Sequence, residues 1–298
     1  MLGLQYFSFE AIWSPLFLLL FIGVAIVYLL LVGPWSIRFK ESEAVAWWRK
    51  AVFLIGLTLL YLTQAGPLSL LAHLMFSAHM FNMAVSYILV PPLLLIGIPA
   101  WMLRPLLRIR VLQYLKFLMH PLLTMVFFNA AFSFYHIPTI HDYVMTNYEV
   151  HAAYYVLLLV TSLMMWWPII NPLSDEEQLS GLKKMGYIFA NGVLITPACA
   201  LIVFANEPMY NTFTDPTIWA EAMGYCVPAG QDWVLTQFSG PQFFTSMSAL
   251  DDQQLGGVIM KLLQETLYGI LLLYVFKEWY RNENPEKEDD LPPSMDPA

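Results

Sequence analysis

Seven long apolar runs, separated by shorter polar connections, dominate the chain: residues 15–32, 45–65, 70–97, 117–134, 150–167, 185–205 and 255–276. A helix needs about 20 mostly apolar residues to cross a bilayer core, and each run comes close to or exceeds that length. Backbone polar groups in lipid must be satisfied within the segment, so runs of this kind predict helices. The expected fold is an all-α integral membrane protein with seven transmembrane helices. The first run has no basic residue before Arg38 and no small-residue cleavage motif, so it reads as a retained spanning helix and not a signal peptide.

Breaks in the pattern add detail. Pro91-Pro92 removes two backbone donors inside the third run, which predicts a kink or an early helix end near Val90. The stretch 101–116 is amphipathic and is expected along a membrane interface. Trp47-Trp48 and Trp166-Trp167 stand where interfacial aromatic anchors are expected. The two halves of the chain show no matching interrupted helices of the transporter kind.

Composition agrees with the pattern: of 298 residues 58% are hydrophobic and only 12% charged. Thirteen of the 14 basic residues lie before, between or after the runs on one predicted side, at Arg38 to Lys50, Arg104 to Lys116, Lys183-Lys184 and Lys277 to Lys287. The connections near Gly66-Pro67, at 136–149 and at 206–252 have none. By the positive-inside rule the N-terminus is expected outside and the C-terminus in the cytoplasm. This gives a membrane domain over 1–281, with an extracytoplasmic loop at about 206–252, and an acidic, proline-containing tail at 282–298 that is expected to be disordered. The net charge of −8 comes with no basic arm or groove, so nucleic acid is not an expected partner; the lipid bilayer is. Cys199 and Cys226 form no CxxC pair and permit at most one bridge.

Five of the six histidines, His73, His79, His136, His141 and His151, fall near the predicted outer face. On a continuous third helix Met75, His79 and Met83 form one stripe and His73 and Met80 a second. His79 would then lie about 13 Å below Leu70 at 1.5 Å per residue. Imidazole with thioether suits copper, above all Cu(I); the competing reading is ordinary interhelical packing by Met and a backbone-bonded His. Asp251 and Asp252 open the last helix, where acids cap free N–H groups; Asp252 is also a candidate ligand or an acceptor behind one. Lys261 and Glu265, spaced i, i+4 deep in the same run, read as a charge pair facing the bundle, with proton handling or partner docking as alternatives. No phosphate loop, HExxH helix or activated nucleophile is present, so the expectation is a protein that is not an enzyme.

The segments FSAHMFNM (76–83), PPLLLIGIP (91–99), FYHIP (134–138), WWPIINP (166–172), TPACALI (196–202) and DDQQLGGVIM (251–260) resemble the CtaG-type membrane proteins of Bacillus and relatives. The resemblance implies a seven-helix, multi-pass protein of the bacterial plasma membrane that assembles caa3-type cytochrome c oxidase, whose subunits would be its partners. It carries over onto His79, Met80, His136, Asp252 and Gln253, with His141 less essential than His136. The family pattern has a further histidine where this chain has Met83, which points to a mixed His/Met site. The thiol pair of the unrelated soluble-domain copper chaperone that shares the CtaG name is missing. The expected function is thus an assembly factor that binds or delivers copper, with His73, His79, Met80, Met83, His136, His151 and Asp252 as candidate ligands. A haem-binding redox protein, with His79 as one axial ligand, is the first alternative and a metal permease the second.

Overall fold

The computed structural model describes residues 3–39, 41–173, 179–228 and 230–284, and every regular element among them is helical. In chain order these are α1 (Phe9–Trp13), α2 (Pro15–Val32), α3 (Trp47–Gln64), α4 (Pro67–Leu74), α5 (Phe76–Ala84), α6 (Val90–Gly97), α7 (Ala100–Leu107), α8 (Arg110–Tyr114), α9 (Pro121–Tyr135), α10 (Pro138–Met145), α11 (Tyr148–Ile170), α12 (Gly181–Val203), α13 (Pro216–Met223), α14 (Gly230–Gln237) and α15 (Ala249–Glu283). Six helical stretches are long and apolar enough to span: Phe9–Val32, Trp47–Leu74, Phe76–Gly97, Tyr148–Ile170, Gly181–Val203 and Ala249–Glu283. α9 and α10 pass the same test only as a pair, bent by 81° at the His136-Ile137 break, which makes six to seven candidate spans among the described residues. Of the expected tail, 282–284 lie at the end of the last helix, and 285–298 fall outside the described residues.

The boundary between the second and third spans differs from the sequence expectation. The chain does not turn at Gly66-Pro67, where α4 follows; the helix breaks at Met75, whose backbone is extended at φ −141° and ψ 139°. Breaking there frees the first N–H groups of α5, which need acceptors in a buried setting. The Asp252 carboxylate supplies them, accepting from Phe76 N at 2.7 Å and Ser77 N at 3.3 Å. The proline pair is accommodated as well. A wide π turn over Val85–Leu89 precedes α6, and helix continues through Pro91-Pro92 to Gly97 without ending near Val90. Pro91 leaves the Tyr87 carbonyl without its i+4 donor, and the Ser162 hydroxyl donates to that oxygen instead.

α6 is anchored at its C-terminal end. Arg49 Nε donates to Ile96 O at 2.8 Å, Arg49 Nη2 to Ile98 O at 3.2 Å, and the Tyr28 hydroxyl to Gly97 O at 2.8 Å. A guanidinium at a helix C-terminus satisfies free carbonyls and opposes the helix dipole. A Cβ on Gly97 would meet the Phe53 backbone at 2.9 Å, so only glycine allows α3 and α6 this approach. The other close pairing runs along α15, which is wedged between α5 and α12. A Cβ on Gly256 would stand 2.8 Å from the Phe76 ring and one on Gly257 2.7 Å from Val203. The glycine pair thus turns one residue toward each neighbour.

Trp47 and Trp48 are exposed, as interfacial anchors should be, but Trp166 is fully buried and packs edge-on against Tyr268 of α15 at 5.8 Å. It is a core residue because α11 continues to Ile170 and carries that face into the bundle. The N-cap of α15 is Ser248, whose hydroxyl accepts from Asp251 N at 3.1 Å, and not an aspartate of the helix itself.

The polar segment 206–248 folds back over one end of the bundle as a second small layer. Trp219, Met223, Val234 and Phe238 form an apolar cluster with Phe7, Leu70 and Leu74. Asp142 on α10 holds the segment by accepting from Asn211 N and Thr212 N, each at 3.0 Å, and from the Thr212 hydroxyl at 2.7 Å. Gln253 adds a bond from Met209 N to its Oε1 at 2.7 Å.

Lys261 on α15 donates to Thr196 Oγ1 at 2.6 Å, Gly192 O at 3.3 Å and Gln264 Oε1 at 3.2 Å, and pairs with Glu265 at 2.6 Å. Removing the lysine alone strands a carboxylate at membrane depth, whereas neutralising both does not. Lys261→Met is expected to give less folded protein than Lys261→Met with Glu265→Gln, measured as monodisperse yield after extraction. Equal yields would show that the pair is not structural.

Candidate functional site

Three imidazoles converge beneath the covering layer. His79 lies in the first turn of α5, His136 at the bend between α9 and α10, and His141 on α10. The His79 ring centroid is 5.1 Å from that of His141 and 6.4 Å from that of His136. His79 and His141 have no solvent exposure and His136 is buried. The break at Met75 places His79 three residues from the start of its helix, about 5 Å along the axis and not 13 Å. Its burial comes from the bend and from the residues packed over it: Tyr135 stacks on its ring at 5.7 Å, and Phe213 of the covering layer lies 6.1 Å away.

The hydrogen bonding of this cluster is unusual for a dry interior. His136 Nδ1 donates to Phe132 O at 2.7 Å, which fixes the tautomer and leaves the Nε2 lone pair free. His136 Nε2, both ring nitrogens of His79 and both of His141 are buried without a hydrogen-bond partner. His141 Nδ1 is 3.6 Å from Asp142 Oδ1, too long for a hydrogen bond. Asn82 Oδ1, one turn from His79, is also unsatisfied. Five bare imidazole nitrogens in one cluster carry a desolvation cost that packing alone does not return. The Tyr210 hydroxyl donates to the His136 backbone carbonyl at 2.9 Å, and burial pushes its pKa further above the ordinary tyrosine value.

The other sequence candidates are distributed differently. Met83 is one turn below His79 on α5 and fully buried. Met80 is fully buried, with its Cγ against Gly256 of α15. His73 is separated from α5 by the break, so the His73/Met80 and Met75/His79 stripes do not exist. His73 Nδ1 donates to Ser69 O at 2.8 Å, and its ring lies 5.7 Å from that of His151. Both line a separate cavity of about 400 Å³ together with Cys226 and Met145. Asp252 is occupied in capping α5. Cys226 and Cys199 are both free thiols, so the one bridge that the sequence permitted is not formed. His120 is the N-cap of α9, far along that helix from the cluster.

The sequence places His141 in the connection 136–149, whereas the structure puts it on α10. The signal was present in Pro138, a favourable first helical residue, which turns 138–145 into a helix and points His141 inward. Asp142 and Tyr210 were missed because their roles depend on contacts about 70 residues apart in sequence. Among the described residues, no group of three or more His, Cys, Asp or Glu side chains is arranged to hold a metal ion in this geometry.

These features define a class: a polytopic helical membrane protein with a buried, unsatisfied histidine cluster under a folded covering layer. Residues 26–282 match the family model described as cytochrome c oxidase caa3 assembly factor (Caa3_CtaG), and the chain belongs to that family. No curated protein and no solved structure matches it.

Proposed function

We propose that this oxidase assembly factor holds copper as cargo between His79, His136 and His141, at an extracytoplasmic end of the bundle, and passes it to the oxidase during assembly. The observation that supports this most is the set of five unpartnered ring nitrogens on three buried histidines from α5, α10 and the bend. Two imidazoles sharing an ion at about 2.0 Å per metal–nitrogen bond have ring centres about 5–6.5 Å apart, depending on the angle between them. The spacings of 5.1 and 6.4 Å from His79 fall in that range. Loading requires the rings to turn toward a common point, which the absence of competing hydrogen bonds on His79 and His141 permits. Met83 supplies a thioether one turn away, a ligand type that suits Cu(I). Asp252 acts behind the site by fixing the start of α5 and therefore the position of His79. His73 and His151 belong to the neighbouring cavity and are not ligands in this reading.

The orientation is tested by placing a single cysteine at exposed Thr217 on α13, in a Cys199→Ser/Cys226→Ser background. An impermeant maleimide is expected to label it in intact bacterial cells. Labelling only after lysis would put the histidine end in the cytoplasm and remove the outer-leaflet reading.

A further inference from the structure

The Lys261/Glu265 pair leaves something unsatisfied. Glu265 is the seventeenth of 35 residues in α15, about 24 Å from one end and about 27 Å from the other at 1.5 Å per residue, which is the middle of the span. Its side chain is 56% exposed on the outside of the bundle, against 28% for Lys261. One oxygen, Oε1, takes the bond from Lys261 and a long one of 3.5 Å from Gln264 Nε2; Oε2 has no partner among the described residues. An ionised oxygen facing hydrocarbon at mid-bilayer is costly, and such groups ordinarily face protein or a water-filled cavity. The exposed side chains beside it on this helix are mostly apolar, Leu262 and Leu273 among them, with Thr266 the polar one. One turn on, a Cβ at Gly269 would have open space around it, so a second backbone has room to come close beside the carboxylate.

We infer that this face of α15 is the docking surface for a transmembrane helix of the oxidase, one that presents a hydrogen-bond donor side chain to Glu265 Oε2 at mid-bilayer. The open atom selects the occupant: Oε2 is an acceptor left over after Oε1 has paired with Lys261, and lipid tails offer no donor. The α2 helix is the contrasting case, since its exposed surface, including Leu16 and Leu19, is wholly apolar and needs only lipid. The inference rests on membership of the oxidase assembly family and is independent of copper.

The test is photocrosslinking in cells that make the oxidase, with p-benzoylphenylalanine at Leu262 or, as the contrasting face, at Leu19. Leu262 is expected to give an adduct containing an oxidase membrane subunit, identified by mass spectrometry, and Leu19 none. An interhelical hydrogen bond in lipid is modest, so Lys261→Met with Glu265→Leu should lower the Leu262 adduct about fivefold. Gly269→Leu, which fills open space and leaves the internal packing untouched, should lower it as well, and it serves if the double variant inserts poorly. Adducts with lipid or a second copy of this chain alone, or an undiminished adduct in either variant, would overturn the inference. An oxidase adduct from Leu19 and none from Leu262 would overturn this face while leaving the oxidase partnership intact. The absence of any oxidase adduct, together with normal oxidase activity in cells lacking the chain, would remove the functional reading itself.

Discussion

Protein carrying His79→Ala, purified from membranes at normal levels, is expected to retain at least about tenfold less copper than the parent, the scale on which metal sites respond to losing a supporting group or more. His136→Ala and His141→Ala are expected to behave in the same way, because each removes one of only three converging imidazoles. The same cells should assemble oxidase with correspondingly low activity. His73→Ala and His151→Ala serve as internal comparisons. They line the adjoining cavity, and their loss should change copper content by less than about twofold, within the scatter of unrelated surface changes. Metal analysis and an optical spectrum on each preparation read the outcome, and a Soret band in the parent would assign the cluster to haem. Full copper and full oxidase activity in all three cluster variants would leave the histidines as packing residues only.

Asp252→Ala should have the largest effect on stability of any single change at this end of the bundle. It removes both acceptors from the N–H groups of Phe76 and Ser77, which sit in a buried helix start with no alternative partner. Each buried donor left unsatisfied costs about 1–3 kcal/mol, so a loss of about 3 kcal/mol is expected. Asp252→Asn retains one acceptor oxygen but turns an amide nitrogen toward the other N–H, and should lose about 2 kcal/mol, less than the alanine variant. Thermal unfolding in detergent, with limited proteolysis near Met75, checks both. Equal midpoints for Asp252→Ala and the parent would show that α5 starts without help. The asparagine variant also separates the roles of this residue: if it retains fold but not copper, the carboxylate itself is a ligand.

The two predictions share a cause that the hydropathy profile could not display. Residues 70–97 form one unbroken apolar run, and 3.6-residue periodicity applied across it yields methionine and histidine stripes that the break at Met75 abolishes. Nothing local to Met75 enforces the break, since neither glycine nor proline is present there. The acceptor that makes it affordable lies 176 residues away on α15. Trp166 shows the same limit. A tryptophan near a helix end is interfacial by position, yet the length of α11 and the closeness of α15 carry it into the core. In contrast, the glycine pair Gly256-Gly257 meets a requirement that is steric and local, since a Cβ at either position would collide with α5 or α12.

The sequence by itself determined the class of this protein: the number and approximate limits of the apolar segments, their helical state and the separation of basic from acidic connections. These follow from transfer free energies and backbone hydrogen bonding in lipid, which act residue by residue along a segment. The family followed from short motifs in a fixed order. Only the tertiary structure decided which histidines meet. It bent the α9–α10 pair by 81° so that His136 and His141 face His79, broke the third segment so that Asp252 caps it, and folded 206–248 over the cluster. Each of these depends on a group far away in sequence satisfying a donor or covering an apolar face, and that information is carried by the packed chain and not by any window of it.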